Sequence, residues 1–131
     1  MARLATADAA GHPHVVPVCF ARVGTTLYVP IDAKPKRAHP RSLRRLRNLR
    51  ERSEATLLLD HYDEDWSRLR WLMIRGRTLI LEPDDSGRRE ALAALEQRYS
   101  QYATMRLAAL NLPVISLIPT HVSRRRSLTT P

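Results

Sequence analysis

The stretch PHVVPVCFARVGTTLYVPIDAKPKR, residues 13–37, holds two apolar segments on either side of Gly24, and it ends in a cluster of positive charge. From His14 to Val23 the run is almost continuously apolar, and a strand without alternation is expected to be covered on both faces. Pro17 removes a ladder donor, which places it at a sheet edge or a bulge. Gly24 then marks a hairpin turn, and residues 26–32 read as the next strand, with Leu27, Val29 and Ile31 on one face.

At the foot of that strand stand Lys34, Pro35, Lys36 and Arg37. The chain has 22 basic residues, of which only these two are lysines. Pro35 pushes Lys34 toward an extended conformation, in which residues two apart point to one side, so both ammonium groups can grip a single anion. Lysine binds phosphate as a point charge and Arg37 adds a planar fork, which makes a phosphate clamp. The competing reading is a solvated basic turn.

Working outward, residues 2–8 form a candidate first strand, turned by Gly11 and Pro13. After the clamp, Pro40 and Ser42 signal a helix start, with Leu43, Leu46 and Leu49 as its apolar stripe. Its other face carries Arg41, Arg44, Arg45, Arg47, Arg50 and Arg52. Residues 55–60 read as a buried strand leading into an acidic loop, and residues 69–81 as a long strand with a bulge at Gly76. A second helix starts near residues 83–87, its Ala91, Leu92, Leu95 and Tyr99 facing inward, and weaker helical character continues to Pro113. Residues 114–118 read as the last strand, and from Arg124 the chain reads as a polar, mobile tail. Six strands joined by hairpins, with helices interspersed rather than alternating, favour one mostly antiparallel barrel domain over residues 1–131.

The 131 residues carry a net charge of +9, which favours an anionic partner without choosing among nucleic acid, membrane surface and small molecule. Heavy use of arginine is also a mark of GC-rich coding, so the charge is weighted lightly. The single cysteine, Cys19, has no partner for an internal disulfide and reads as a structural thiol. No segment reads as a membrane span or a signal peptide, and the cytoplasm is the expected location.

His12 and His14 form an H-x-H pair without the further spaced ligands that a metal needs. The acidic stretch from Asp60 to Asp65 lacks the calcium-loop pattern and reads as a solvated loop. No nucleophile elbow, dinucleotide fingerprint or P-loop is present. The basic helix lacks interleaved aromatics, so nucleic-acid binding is the weaker reading of its charge.

Taken together, residues 2–8, 13–20, 32–37 and 43–48, and above all Asp60-His61-Tyr62-Asp63-Glu64-Asp65-Trp66, resemble the pyridoxamine-phosphate-oxidase-like split-barrel superfamily. The similarity is best to the actinobacterial branch associated with the deazaflavin coenzyme F420, and it is weaker after residue 80. The resemblance implies a mainly β fold with two or more helices, a six-stranded antiparallel split β-barrel of the FMN-binding kind. It also implies a homodimer with two cofactor sites between subunits.

By the same resemblance Lys34, Lys36 and Arg37 hold the cofactor phosphate, and its ring lies along Val16, Pro17, Val18 and Tyr28. Arg70 and Trp71 reach toward the cofactor, Asp60 and Trp66 line or brace the cleft, and Arg45 belongs to the arginine face that suits the anionic tail of coenzyme F420. Two departures stand out: the chain starts almost at the first strand, where relatives usually place a helix, and it lacks their tryptophan-containing final segment. The activity implied is hydride transfer to or from a small organic substrate. FMN is the alternative cofactor, and binding without turnover is the alternative function. Tyr28, Tyr62 and His61 are possible proton donors, and each also has a structural reading.

Overall fold

A computed structural model of the chain describes residues 1–31 and 43–126. Seven strands form one sheet: β1 (Ala2–Ala7), β2 (Pro13–Val18), β3 (Ala21–Val23), β4 (Thr26–Pro30), β5 (Glu54–His61), β6 (Arg70–Leu81) and β7 (Val114–Arg126). Their order is β2-β1-β5-β6-β7-β4-β3, with every pairing antiparallel. The helices are α1 (Arg44–Glu51), α2 (Arg88–Arg98) and α3 (Ser100–Met105).

The first and last strands of that order, β2 and β3, are separated in sequence by only Cys19 and Phe20. A link that short forces the sheet to curl until its two edges meet. The corner is fastened from outside. The Phe20 N–H donates to the Tyr99 hydroxyl at 3.2 Å, and that hydroxyl donates to the Phe20 carbonyl at 3.1 Å. The Arg98 guanidinium lies 4.3 Å above the Phe20 ring.

This corner corrects the expected six strands to seven, because the apolar run from His14 to Val23 is two strands rather than one. It also corrects the expectation that both faces of that run are covered. On β2 the side chains alternate, with Val18 buried while Val15 is 58% exposed. β2 is an edge strand, which is where Pro17 costs no ladder bond.

The core has two parts. Inside the curl lie Leu4, Leu27, Val29, Ile31, Leu57, Ile115 and Leu117, joined by Leu46 and Leu49 from α1. Outside it, Tyr28 and Val114 pack beneath Ala91, Leu92 and Leu95 of α2 and Tyr102 of α3. β4 thus faces two hydrophobic layers, and its buried Tyr28 separates it from the alternating pattern that the sequence suggests. Each leucine of these layers contributes about 1.5–3 kcal/mol of burial.

β6 and β7 pair over their full length, with the register slipping between Arg75 and Gly76 so that Thr120 has no ladder partner. Gly76 is needed there, since a Cβ would come to 2.8 Å from the Ile118 carbonyl carbon and 2.9 Å from Leu117 Cδ2. The last strand is far longer than the expected 114–118, and its final residues 124–126 are strand where the sequence suggests a tail. Ladder bonds to residues 70–72 hold that polar segment extended whatever its hydropathy.

Candidate functional site

α1 is held on the β1–β2 hairpin at several points. The Asn48 amide donates to the Thr6 hydroxyl at 3.0 Å in the interior. Glu51 accepts from the Ala9 N–H at 2.8 Å, while Arg52 donates to the carbonyls of Asp8 and Ala9 at 2.8 and 2.9 Å. Asp8 in turn closes the hairpin by accepting from the Ala10 and His12 amides. These bonds fix which side of the helix meets the barrel.

As a result, the first turn of α1 comes against His14 of β2. Burial, and then the charges of Arg45 and Arg44, hold the His14 imidazole below its ordinary basicity. Its Nδ1 is buried with no hydrogen-bond partner among the described residues. Among the described residues, the helix starts at Leu43 with no side-chain cap and no acidic residue in its first turn. A helix N-terminus without a cap, two guanidinium groups and a buried ring nitrogen together favour an anion. Lys34, Lys36 and Arg37 lie outside the described residues, in the segment between the buried Ile31 and Leu43.

The structure gives the other expected site residues different surroundings. Val16 and Val18 belong to the inner core, and Pro17 points outward and is exposed. Tyr28 is buried beneath α2, where burial and Glu90 push its hydroxyl above the usual range. Arg45 is half-buried beside His14.

Asp60, Arg70 and Trp71 do come together. They line a cleft of about 440 Å³ at the end of β5, β6 and β7, with Leu59 and Leu72 also in its wall. Asp60 is paired with Arg3. Trp66 is not among the lining residues and is 74% exposed, on a short 3-10 turn over Trp66–Arg68. The acidic stretch before it serves the turn. Asp63 accepts from the Asp65 N–H at 2.8 Å, and Asp65 accepts from the Ser67 hydroxyl at 2.6 Å. No group of three metal-ligating side chains occurs among the described residues.

Arg124, Arg125 and Arg126, which the sequence reading leaves in the tail, line the same cleft. The run of three arginines was the available signal, but its meaning depends on the strand reaching that far. His14 was noted only as half of an H-x-H pair. The structure separates that pair, with His12 turned to Asp8 at 3.0 Å. Cys19 is a free, partly buried thiol. Among the described residues no helix is long and apolar enough to cross a membrane.

The profile of the pyridoxamine 5'-phosphate oxidase family matches residues 1–125. Comparison with curated proteins by sequence gives no match. Among solved structures, the heme storage protein HutZ of Vibrio cholerae is similar with a TM-score of 0.75 at 19% identity, covering 95% of this chain and 84% of that one. A heme binding protein of Mycobacterium smegmatis gives a TM-score of 0.76 at 15% identity over 98% of this chain and 50% of that one. An FAD-binding protein of Mesorhizobium loti gives 0.68 at 20% identity, over 94% and 83%. At these identities the likeness is one of fold.

Proposed function

The chain belongs to the pyridoxamine 5'-phosphate oxidase family, and on that premise we propose that it is a homodimeric oxidoreductase binding the deazaflavin coenzyme F420, with FMN as the alternative cofactor. The observation that carries this reading is the buried His14 Nδ1, without a hydrogen-bond partner among the described residues, beside Arg44 and Arg45 at the start of α1. A phosphate there would reach the ring nitrogen within the positive field of Arg44 and Arg45. The helix end would add its dipole, and Lys34, Lys36 and Arg37 come from the segment that leads into it.

When bound, such a cofactor supplies hydride transfer at its ring, so the protein needs no nucleophile. The tasks left to this chain are to anchor the phosphate, orient the ring and keep water away. Pro17 and the exposed Val15 on the edge strand offer a surface for the ring or for the partner subunit. Along the same outer face run Leu58 of β5 and Met73 of β6, the latter 39% exposed. A second copy of the chain covering this face, in which Arg3 lies between Pro17 and Leu58, would close a cofactor cleft between subunits. The reacting partner is then a small organic molecule.

The test is titration of the purified protein with coenzyme F420, FMN and hemin, hemin because two of the fold neighbours bear heme in their names. Saturable binding of coenzyme F420, weakened at least about tenfold by Lys34→Ala with Lys36→Ala, supports the proposal. Preference for FMN replaces the deazaflavin, and preference for hemin with no flavin binding overturns the oxidoreductase reading.

A further inference from the structure

The end of β5, β6 and β7 carries more positive charge than the fold requires. Arg70 on β6 is the direct ladder partner of Arg126 on β7, and Arg124 lies on the same face two residues earlier. Like charges placed directly opposite across a ladder destabilise it. Among the described residues, no carboxylate lies within ion-pair distance of Arg70, Arg124 or Arg126. The acid in the same cleft, Asp60, faces the other side of β5 and is paired with Arg3.

Between these arginines and the barrel interior is an apolar step. Leu59 and Leu72 are direct partners across the β5–β6 ladder and share the face of Arg124. A cavity of about 440 Å³ is walled by this step, and a second of about 600 Å³ adjoins the first through His61, Arg70 and Arg126. The space is therefore greasy at its floor and cationic at its mouth, and it is large enough for a ring system.

We propose that this end of the sheet binds a small molecule with a flat apolar body and one or more carboxylate or phosphate groups. The body rests on Leu59 and Leu72, while Arg70, Arg124 and Arg126 hold the anionic groups through paired N–H donors. A bare polyanion would leave the leucines uncovered, and a neutral ring would leave the cross-strand repulsion in place. The combination answers both. The proposal rests on the geometry of this end of the sheet and not on the first turn of α1, although it takes in Arg70, which the family resemblance turns toward the cofactor.

Calorimetric titration with naphthalene dicarboxylate, and with its neutral dimethyl ester, tests the site in the full chain. The diacid is expected to bind saturably, and Arg70→Gln with Arg126→Gln to weaken it at least about tenfold, while Arg22→Gln with Arg89→Gln, both exposed elsewhere, changes it less than about twofold. Arg126→Lys, which keeps the charge and loses the fork, is expected to fall between.

The melting temperature of the Arg70→Gln, Arg126→Gln protein is expected to match or exceed that of the parent, because a repulsion has been removed. Equal affinity for diacid and ester overturns the proposal, as does a binding loss accompanied by a lower melting temperature, which would assign the arginines to the fold. Duplex nucleic acid bound in preference to the diacid also overturns it. Displacement of the diacid by coenzyme F420 or FMN would make the anion part of the cofactor, and simultaneous binding would make it part of a substrate. Either result upholds the site.

Discussion

Asn48 of α1 and Thr6 of β1 meet in the interior, where the amide donates to the hydroxyl at 3.0 Å and both residues are almost fully buried. This bond sets the rotation of α1 on the barrel and hence the approach of Arg44 and Arg45 to His14. Replacing Asn48 with Leu leaves the Thr6 hydroxyl buried and unpaired, at an expected cost of about 1–3 kcal/mol. Thr6→Val in the same chain is expected to recover part of that loss. Urea unfolding of the two single variants and the double variant measures the coupling, and strictly additive losses would show that the bond contributes nothing of its own.

His14 makes stability depend on pH. Its folded value lies below the 6.5 of an exposed histidine, chiefly through burial and then through Arg45 and Arg44. As pH falls through 6.5, the unfolded chain takes up a proton that the native chain refuses, so stability declines until the lower folded value is reached. Above 6.5 this residue contributes no slope. His14→Gln is expected to flatten the decline in unfolding free energy as pH falls below 6.5. An unchanged slope would assign the decline to other groups.

The corner that closes the barrel depends on one hydroxyl. Tyr99→Phe removes both bonds to Phe20 and leaves a backbone N–H and carbonyl without that partner. The expected loss is about 1–3 kcal/mol. Amide exchange at Phe20 is expected to accelerate more than exchange in the β5–β6 ladder, since the opening is local.

Gly76 marks the slip between β6 and β7, and its missing side chain is what allows the Ile118 carbonyl to approach. Gly76→Ala forces backbone apart, with an expected cost of about 3 kcal/mol, at the upper end for overpacking. Gly87→Ala, where the nearest atom to a Cβ is 3.8 Å away, is the matched control and is expected to cost far less. Thermal unfolding of both separates crowding from a general intolerance of alanine.

The outer face of the sheet provides a test of assembly. Val15→Glu with Met73→Glu places two acidic charges on the exposed outer face without touching the core. Sedimentation is expected to show a dimer for the parent chain and a monomer for this variant. A parent chain that sediments as a monomer would remove the subunit interface from the proposed function.

Much of the barrel was legible because it is written in local patterns. The leucine stripe of α1, the hairpin glycine at position 24 and the bulge at Gly76 follow from spacing and residue type, and the structure bears them out. The split at Cys19 and Phe20 was hidden, because an unbroken apolar run carries no mark of where it changes partners. The polar residues 119–126 were hidden for the converse reason, since their extended form comes from β6 rather than from their own preferences.

The site divides along the same line. Arg45 could be read as part of a basic helix face, and Asp60, Arg70 and Trp71 from the family resemblance. No pattern within the sequence could place His14 against α1, or Arg70 opposite Arg126. The chain alone determined where most of the strand segments lie, which helix is basic and which family they compose, because hydrophobic period and turn chemistry act over a few residues. Only the folded sheet decided which charges face one another, because the register between strands as distant in sequence as β6 and β7 is fixed by the closing of the whole barrel.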